Sequence, residues 1–415
     1  MGKTISEKII AKSSRQSEVN PGEVVWVVPD LTATCDFITM DYVTPDIEAL
    51  GATKLKDPEK IAIIIDHHVP PRSAEEAALH VQTRTWAQKH GVRLYEGLGI
   101  GHQVMIELGL ARPGMFVANT DAQVTGVGGI GAFAIGALPL LEIYTRGKTW
   151  IKVPEVIRYN IAGKLPKGVM ARDVMHMIVS EIGPDGALYK AMEFGGPTVS
   201  EMSIDERIAM CNIANHPGAK AAIVNPDEKT ISYVRSRTNF TFEAITSDPD
   251  ATYEKTLSFD VSNLEPYVAA PSEVYNCKPL RQVEGTPLDV GYIGSCAGGR
   301  LEDLRAAATI LKGKRISPNF RLYVVPTSQM IMETACREGL VEIFVQAGAS
   351  VFPPTCDFCW GALGVLAPGE TAITTGTLNI AGRMGSHEAR IFLANAYSIA
   401  ASAIEGRIVD PRAYL

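Results

Sequence analysis

The chain has 415 residues, 46% of them hydrophobic and 20% charged, and its formal net charge is -7. This composition is typical of a globular protein of two or three domains, and it lacks the basic tract expected of a protein that binds nucleic acid. Residues 1–23 show no signal-peptide pattern, and the longest apolar stretch, residues 129–141, is too short and too rich in glycine to span a membrane. Seven cysteines in a long chain argue against a secreted disulfide framework, so we expect a cytoplasmic protein.

Predicted strands alternate with predicted helices in the first half of the chain. Apolar runs predict buried strands at residues 23–29 and 60–66 and short strands at residues 93–96 and 115–119. Ser73 is the predicted N-cap of an amphipathic helix over residues 74–90. Residues 126–141, rich in glycine and alanine, predict a tightly packed helix. Their G-x-G-x-x-G pattern at residues 126–131 does not follow directly on a strand, as a dinucleotide-binding site would require.

The second half continues the alternation. Its predicted helices cover residues 203–215, 300–311 and 329–338, and its predicted strands cover residues 290–293 and 320–325. Residues 239–279 lack periodicity, and we interpret them as a long connection between lobes. The alternation predicts an α/β fold with largely parallel sheets, with N-terminal lobes over residues 1–283 and a C-terminal lobe over residues 284–415. In such sheets the ligand crevice lies beyond the carboxyl ends of the strands.

Three cysteines in the predicted C-terminal lobe form the clearest chemical pattern. Cys296 lies in a Gly-rich turn, and Cys356 and Cys359 form a C-x-x-C pair. Iron–sulfur clusters usually take four cysteines, so three would leave one iron open to act as a Lewis acid. On spacing alone, a redox dithiol or a zinc ion also fits. We expect Cys211, Cys277 and Cys336 to be buried thiols.

Polar side chains follow several predicted strands. Asp66 and His67 come directly after the strand at residues 60–66, and an aspartate beside a histidine can fix its tautomer for proton transfer. A hydrogen-bonded turn explains that pair equally well on local grounds. His102 lies on a second Gly-rich turn, and Asp121 follows the strand at residues 115–119. Two arginines in Gly-rich loops, which suit bidentate carboxylate binding, are Arg300 and Arg383. The histidines expected to be surface or structural residues are His80, His90, His176 and His387.

The order of these motifs resembles that of the large subunits of 3-isopropylmalate dehydratase and homoaconitase, in the aconitase superfamily. Residues 66–70 resemble the family's D-H-x-V-P motif, and residues 101–104 resemble its C-H-Q-V segment. Residues 294–296 and the C-x-x-C pair resemble its three cluster cysteines, and residues 400–412 resemble its C-terminal A-S-A-I-x-G-x-I-x-D-P-R. The resemblance covers nearly the whole chain.

The resemblance implies aconitase-type three-layer α/β/α lobes around a cluster-binding cleft. It implies a [4Fe–4S] cluster held by Cys296, Cys356 and Cys359, with one open iron, in a hydro-lyase that eliminates water from a small hydroxy acid. The residues that it implies for catalysis are Asp66, His67, His102 and Asp121. The family usually needs a small swivelling domain, where a serine commonly takes the substrate proton. Since this sequence stops at Leu415, after the cluster motifs, we expect that domain on a separate small subunit.

Several positions depart from the family pattern. Gln123 stands within Asp-Ala-Gln-Val where the family has D-S-H-T, His216 stands where it has a glutamate, and Leu378 stands where it has an arginine. Arg383 keeps the second arginine of that motif, and Ala297-Gly298 replaces the usual Thr-Asn. His216 either replaces the glutamate in function or caps a helix end. The residues expected to contact the substrate are Arg300, Arg383, Gln123, His216 and Leu378.

These departures remove charge from the predicted pocket. Our interpretation is therefore a divergent dehydratase whose hydroxy-acid substrate is not isopropylmalate, citrate or homocitrate. An authentic 3-isopropylmalate dehydratase or homoaconitase large subunit is the first alternative. A non-catalytic iron or redox sensor and a cluster enzyme with another lytic reaction, such as desulfuration, are further alternatives.

Overall fold

The structure is a computed structural model and describes residues 2–136 and 140–415. In chain order the strands are β1 Val24–Val27, β2 Leu31–Cys35, β3 Ile61–Ile65, β4 Arg93–Glu96, β5 Phe116–Asn119, β6 Phe133–Gly136, β7 Thr149–Lys152, β8 Val156–Ala162, β9 Ala191–Gly195, β10 Ala221–Val224, β11 Lys255–Asp260, β12 Tyr267–Ala269, β13 Cys277–Pro279, β14 Val290–Ile293, β15 Arg321–Val324, β16 Ser350–Val351, β17 Thr371–Thr374 and β18 Arg390–Leu393.

The helices alternate with these strands. The α-helices are α1 Ile5–Ser14, α2 Asp36–Ile38, α3 Thr44–Ala49, α4 Ala74–His90, α5 Gly101–Glu107, α6 Leu141–Arg146, α7 Ala171–Ile182, α8 Pro197–Glu201, α9 Ile204–Ile213, α10 Glu228–Arg235, α11 Leu301–Leu311, α12 Gln329–Arg337, α13 Leu340–Ala347 and α14 Ala396–Glu405. A π-helical turn covers Thr39–Val43. The 3₁₀ segments are Pro58–Lys60, Ala122–Ile130, Leu280–Gln282, Asp357–Trp360 and Pro411–Tyr414.

Three sheets organise the chain, and their topology confirms the α/β prediction. A five-stranded sheet has the order β4-β3-β2-β5-β6 and a four-stranded sheet the order β10-β9-β8-β11, both parallel. The seven-stranded sheet has the order β13-β12-β18-β17-β14-β15-β16, parallel except for β12 and β13 at one edge. Helices α11 and α14 pack on one face of the seven-stranded sheet, and α7 and the 3₁₀ turn Asp357–Trp360 pack on the other.

Most of the predicted elements are present, several with shorter ends. Ser73 caps α4 through a hydrogen bond from the backbone N–H of Glu76. The strand predicted at residues 23–29 is present as β1, but it is buried on one face only, through Val25 and Val27. It pairs with β7 in a separate two-stranded ribbon, and Val24 and Trp26 are exposed.

The predicted helix over residues 126–141 is wrong for residues 126–136, which form the 3₁₀ segment Ala122–Ile130 and strand β6. Residues 137–139 lie outside the described residues. A Cβ on Gly128 would lie 1.7 Å from the carbonyl oxygen of Ala222, and one on Gly129 would lie 2.6 Å from the backbone nitrogen of Ile208. The glycines therefore permit close packing of the 3₁₀ segment against β10 and α9. Close packing was expected of these glycines, but within a helix.

The irregular connection predicted at residues 239–279 contains three strands. β11 extends the four-stranded sheet, whereas β12 and β13 belong to the seven-stranded sheet. β12 and β13 have three residues each, too few for a period to be recognised. The division of the chain at residue 283 remains a prediction. Among the described residues, no helix has the length and apolar character needed to cross a membrane.

Candidate active site

The site lies where the carboxyl ends of the five-stranded and seven-stranded sheets meet. Asp66 follows β3, Asp121 follows β5 and Cys296 follows β14. The two sheets are joined there by main-chain hydrogen bonds, one from Cys356 to the carbonyl of Asp66 at 2.9 Å and one from Ile100 to the carbonyl of Thr327 at 2.9 Å. The parallel topology thus brings together polar residues that are far apart in the sequence.

Asp66 fixes the orientation of His67. One carboxylate oxygen of Asp66 lies 2.7 Å from Nδ1 of His67, and the other accepts the backbone N–H of Gly101 at 2.8 Å. Since a carboxylate oxygen only accepts, Nδ1 of His67 carries a proton and Nε2 faces away from Asp66. The arrangement is more than a local turn, because the carboxylate of Asp66 also binds Gly101, the first residue of α5, which lies 35 positions away in the sequence.

His67 lies between two thiols. The thiols of Cys35 and Cys356 lie beside its ring, and the ring of Phe37 packs edge-on at a centroid distance of 5.1 Å. Burial disfavours the charged imidazolium, but negative charge on Cys356 and Asp66 outweighs this effect and raises the pKa of His67 well above its usual value. The structure therefore favours a protonated His67 beside Cys356.

Asp357, between the two cysteines of the C-x-x-C pair, joins the cysteine turn to the histidine turn. It is fully buried and accepts the backbone N–H groups of His68 at 2.9 Å and Val69 at 2.7 Å. It also accepts the hydroxyl of Thr355 at 2.9 Å and the indole N–H of Trp360 at 3.2 Å. Asp357 was not among the site residues predicted from the sequence. An acidic residue inside a metal-binding turn was the available signal.

The loop that carries Cys296 is tightly held. Ser295 has a φ of 74°, which is uncommon for a residue other than glycine, and its hydroxyl donates to the carbonyl of Thr375 at 3.0 Å. A Cβ on Gly298 would lie 2.5 Å from the Cβ of Thr375. Only glycine fits at residue 298 while Thr375 keeps this position, which gives a packing reason for the Gly298 departure.

Three guanidinium groups surround the cysteine loops. Arg172 donates to the carbonyls of Thr375, Gly376 and Ala297 at 2.5, 3.2 and 3.2 Å. Burial is the main cause that lowers the pKa of Arg172, to about 10, so the group stays charged near neutral pH. Arg383 donates from Nε to the carbonyl of Cys359 at 3.0 Å, and its Nη2 lies 3.7 Å from the sulfur. Arg172 was not recognised in the sequence, because it lies in a helix without a surrounding motif.

Arg300, predicted to contact the substrate, uses most of its side chain within the protein, and only its Nη1 has no hydrogen-bond partner among the described residues. Its side chain is fully buried, with Nε donating to Gln103 at 2.9 Å and Nη2 donating to the carbonyl of Cys296 at 2.6 Å. Gln103 in turn donates to Glu107 at 3.0 Å, which accepts the hydroxyl of Ser328 at 2.7 Å. Arg300 therefore belongs to a buried polar network that links α5 to the loop of Cys296 and to the start of α12.

Asp121 and His102 lie on the open side of the site. Nε2 of His102 is 3.6 Å from a carboxylate oxygen of Asp121, and 43% of the Asp121 side-chain surface is exposed. Burial opposes ionisation of Asp121, but His102 and the backbone N–H of Gln123 outweigh it and lower the pKa of Asp121 to about 2. The carbonyl of Gln123 accepts the amide of Asn212 at 3.0 Å, and the same side chain lies within hydrogen-bonding reach of Cys296. This segment is therefore adjacent to the cysteines.

His216 supports the loop that carries Leu378. Its Nε2 donates to the carbonyl of Thr377 at 2.8 Å, and burial is the main cause that lowers its pKa to about 4. The hydroxyl of Thr377 lies 3.3 Å from the sulfur of Cys359. Leu378 is half-buried at the end of this loop. His216 is thus neutral near pH 7 and contacts the main chain of the loop that carries Leu378.

The three predicted cluster ligands lie close enough to influence one another. Burial of Cys296 and the charges of Cys359, Cys356 and Asp121 raise the pKa of the Cys296 thiol well above its usual value. Cys296 and Cys359 are buried and Cys356 is half-buried, and all seven cysteines are free thiols. Cys211 and Cys277 are buried as predicted, whereas Cys336 is exposed on α12. That prediction for Cys336 is wrong because its position faces away from the apolar face of the helix.

The remaining histidines have varied environments. His80, predicted to be structural, is buried, with Nε2 3.1 Å from a carboxylate oxygen of Asp36 and 3.2 Å from the carbonyl of His67. His176 is fully buried, His90 is half-buried beside Trp86, and His387 is exposed. His80 thus contacts the main chain of the turn that carries His67.

Comparisons with known proteins give a consistent result. The sequence profile of the Aconitase family (aconitate hydratase) matches residues 7–284 and 272–406. A probable 3-isopropylmalate dehydratase large subunit of Methanothermobacter thermautotrophicus is 42% identical over 416 residues, which cover 99% of both chains. A 3-isopropylmalate dehydratase large subunit of Methanopyrus kandleri is 41% identical over 420 residues, which cover 100% of both chains.

The crystal structure of Thermococcus kodakaraensis aconitase X in its holo-form aligns with a TM-score of 0.47 and 12% identity, over 84% of this chain and 83% of that chain. A similarity at this level carries no functional argument.

Proposed function

The chain belongs to the aconitase family, and we propose that it is the large subunit of an iron–sulfur-dependent hydro-lyase of the 3-isopropylmalate dehydratase type. The observation that carries the proposal is the joining of the cysteine turn to the Asp66–His67 turn. The backbone N–H of Cys356 bonds to Asp66, and Asp357 bonds to His68 and Val69. A metal-binding turn and an acid–base pair are thereby held as one unit.

The donor set supports a cluster over a single ion. Among the described residues, the only group of candidate ligands whose atoms all lie within 4.8 Å of one another is Cys35, Asp36 and His67. Cys296, Cys356 and Cys359 do not meet that condition, although their charges interact strongly. Ligands of one tetrahedral zinc ion would stand about 4 Å apart. The wider separation of these three thiols fits a larger iron–sulfur group.

Cys296, Cys356 and Cys359 would hold this cluster, and the surrounding arginines would balance its charge. When bound through three cysteines, a [4Fe–4S] cluster supplies an open iron that acts as a Lewis acid toward hydroxyl and carboxylate oxygens. Arg172 and Arg300 donate to carbonyls of the loop that carries Cys296, and Arg383 donates to the carbonyl of Cys359. These contacts would keep the three thiols in place.

His67 is the proposed acid for the leaving hydroxyl group. Asp66 holds its Nδ1–H, and the raised pKa keeps a proton on Nε2 that can be delivered to the oxygen that departs as water. Asp121, ionised and exposed, would orient His102 beside the same oxygen. Arg383 would bind a substrate carboxylate. The base that removes the carbon-bound proton would come from a separate small subunit, consistent with the large-subunit names of the relatives.

The proposed substrate is isopropylmalate, because the named relatives are about 40% identical over nearly their full length. A second candidate is a hydroxy acid with an apolar or amide substituent. The observation that favours it is the uncharged character of Gln123, His216 and Leu378. Removing a buried arginine from a site for a dicarboxylate costs about 2–5 kcal/mol of binding, which a substrate without that carboxylate would avoid.

The test is anaerobic reconstitution of the chain with iron and sulfide, together with a small-subunit partner, against a panel of hydroxy acids monitored by alkene absorbance. The proposal expects turnover of isopropylmalate. Turnover of another hydroxy acid alone would favour the second candidate. An intact cluster with no turnover of any panel member would contradict the hydro-lyase proposal and favour an iron or redox sensor.

A further inference from the structure

We propose that Cys35, Asp36 and His67 form a second metal site, beside the three-cysteine site, that binds a divalent cation of the zinc class. Their ligand atoms all lie within 4.8 Å of one another. This separation suits ligands of one tetrahedral ion, which stand about 4 Å apart. The inference concerns metal binding and does not depend on the proposed hydro-lyase activity.

The parallel sheet places these residues together. Cys35 ends β2 and Asp36 begins α2, while His67 follows β3, the neighbouring strand in which Ile64 pairs with Cys35. Two adjacent parallel strands therefore deliver a thiol, a carboxylate and an imidazole to the same edge of the sheet. The sulfur of Cys35 lies within 4.8 Å of a ring nitrogen of His67.

His67 already has the orientation of a metal ligand. Its Nδ1–H donates to Asp66 at 2.7 Å, which leaves Nε2 as the coordinating nitrogen once the ion displaces the proton that Nε2 otherwise carries. Metal-binding histidines almost always donate their other ring N–H to a carboxylate, a carbonyl or water, and this partner fixes the tautomer. Asp66 supplies that contact without being a ligand itself.

Asp36 presents a buried carboxylate oxygen without a partner. Its side chain is fully buried, and one oxygen lies 3.1 Å from Nε2 of His80. The other oxygen, Oδ1, has no hydrogen-bond partner among residues 2–136 and 140–415. An unsatisfied buried carboxylate oxygen is costly, and a cation beside it would remove the penalty.

The chemistry of the three ligands selects the ion. One thiolate, one imidazole and one carboxylate are the ligand types of zinc sites, and three protein ligands leave a fourth position for water. Mg²⁺ prefers oxygen ligands in octahedral geometry and would be excluded. An ion bound to Nε2 of His67 would also occupy the nitrogen proposed to carry the proton, so metal binding and proton delivery by His67 would exclude each other.

The test uses the cluster-loaded chain and Co²⁺ as a spectroscopic substitute for Zn²⁺. We expect about one Co²⁺ per chain in addition to the cluster iron, with a thiolate-to-cobalt charge-transfer absorption, and displacement by Zn²⁺ but not by Mg²⁺. Loss of a residue that only orients a metal ligand weakens metal binding about 10- to 100-fold, so Cys35→Ser, which removes a ligand, should weaken Zn²⁺ binding more than about 100-fold and abolish the absorption.

Cys336→Ser is the matched control, since it removes an exposed thiol outside the site and should change neither result. Asp36→Asn is a second variant, which should weaken Zn²⁺ binding even if Cys35→Ser folds poorly. The proposal is overturned if no additional Co²⁺ binds. It is also overturned if the absorption survives in Cys35→Ser and disappears in Cys296→Ser, since the ion would then occupy the three-cysteine site.

Discussion

The carboxylate of Asp357 accepts the backbone N–H of His68 at 2.9 Å, although 289 positions of sequence separate the two residues. His68 has a φ of 55°, a left-handed backbone conformation that is uncommon for a residue other than glycine. Its N–H donates to the turn of the cysteine pair. Asp357 lies between Cys356 and Cys359. The turn that would hold the cluster and the turn that holds His67 therefore share one buried carboxylate.

Replacing Asp357 with alanine should destabilise the chain by about 3 kcal/mol and reduce cluster retention. The substitution leaves the N–H groups of His68 and Val69 buried without an acceptor, at about 1–3 kcal/mol each, partly offset by relaxation. Urea unfolding and iron content measure the two effects. Asp357→Asn, which keeps one acceptor oxygen, should lose less. Equal stability of wild type and Asp357→Ala would contradict the shared role of this carboxylate.

In protein that keeps its cluster, replacing Arg383 with lysine should lower kcat/KM about 30- to 1,000-fold, chiefly through KM. A lysine keeps the charge but loses the bidentate geometry that suits a carboxylate, a loss of about 2–4 kcal/mol. Steady-state kinetics with the reconstituted enzyme measure it. Arg305→Lys is the control, because the Arg305–Glu338 pair is partly exposed at the surface and should contribute little.

Arg300→Lys gives a contrast to Arg383→Lys. Since Arg300 bonds to Gln103 and to the carbonyl of Cys296, we expect loss of cluster retention with an unchanged KM for the protein that keeps its cluster. A raised KM with full cluster content would instead restore Arg300 to the substrate site.

Asp173 should make folding stability depend on pH. Burial is the main cause that raises its pKa from 3.8 to about 6, against hydrogen bonds from Asn395, Tyr267 and Met170. The folded state therefore holds the proton more tightly than the unfolded chain. The stabilisation is fully present below about pH 4 and is lost as pH rises through about 6, a change on the order of 3 kcal/mol.

Urea unfolding of wild type and Asp173→Asn between pH 4 and 7 tests this sign. The asparagine is nearly isosteric with the protonated acid and does not titrate. Wild type should lose stability relative to the variant as pH rises through this window. A constant difference between the two proteins would show that the pKa of Asp173 is not raised.

His216 should act through the loop that carries Leu378 and not as an acid or base. Its pKa of about 4 leaves it neutral above pH 5, with Nε2–H donating to Thr377. His216→Gln, which can keep that donor, should leave kcat/KM within about threefold and leave the pH–rate profile unchanged. His216→Ala should lose about tenfold, equivalent to one hydrogen bond. A loss of about 10²–10⁴ in both variants would instead indicate acid–base catalysis.

The order of the motifs was enough to predict the fold class and to select the cysteines. Asp66–His67, Asp121 and Cys296 each follow a predicted strand, and the structure places them where the carboxyl ends of the five-stranded and seven-stranded sheets meet. The strand ends could be predicted because they are fixed by short-range apolar patterns, and sheet topology then determines which ends are neighbours.

The residues that hold the site in place could not be predicted in the same way. Asp357, Arg172 and the Gln103–Arg300 contact act through partners at least 125 positions away in the sequence. The periodicity of apolar residues predicts helices and strands, but it does not indicate such distant hydrogen-bond partners. The burial of Arg300 was not expected for the same reason, since a Gly-rich loop suggests an exposed arginine, whereas its contact with Gln103 on α5 buries the group.

The central claim is that Cys296, Cys356 and Cys359 together hold one iron–sulfur cluster. Its most direct test is the iron and sulfide content, with Mössbauer spectra, of the anaerobically reconstituted chain and of its single Cys→Ser variants. We predict about four iron and four sulfide ions per wild-type chain, with one iron distinct from the other three. Each of Cys296→Ser, Cys356→Ser and Cys359→Ser should lose most of this content, while Cys336→Ser keeps it. Full content in any of the three, or equal loss in Cys336→Ser, would contradict the claim.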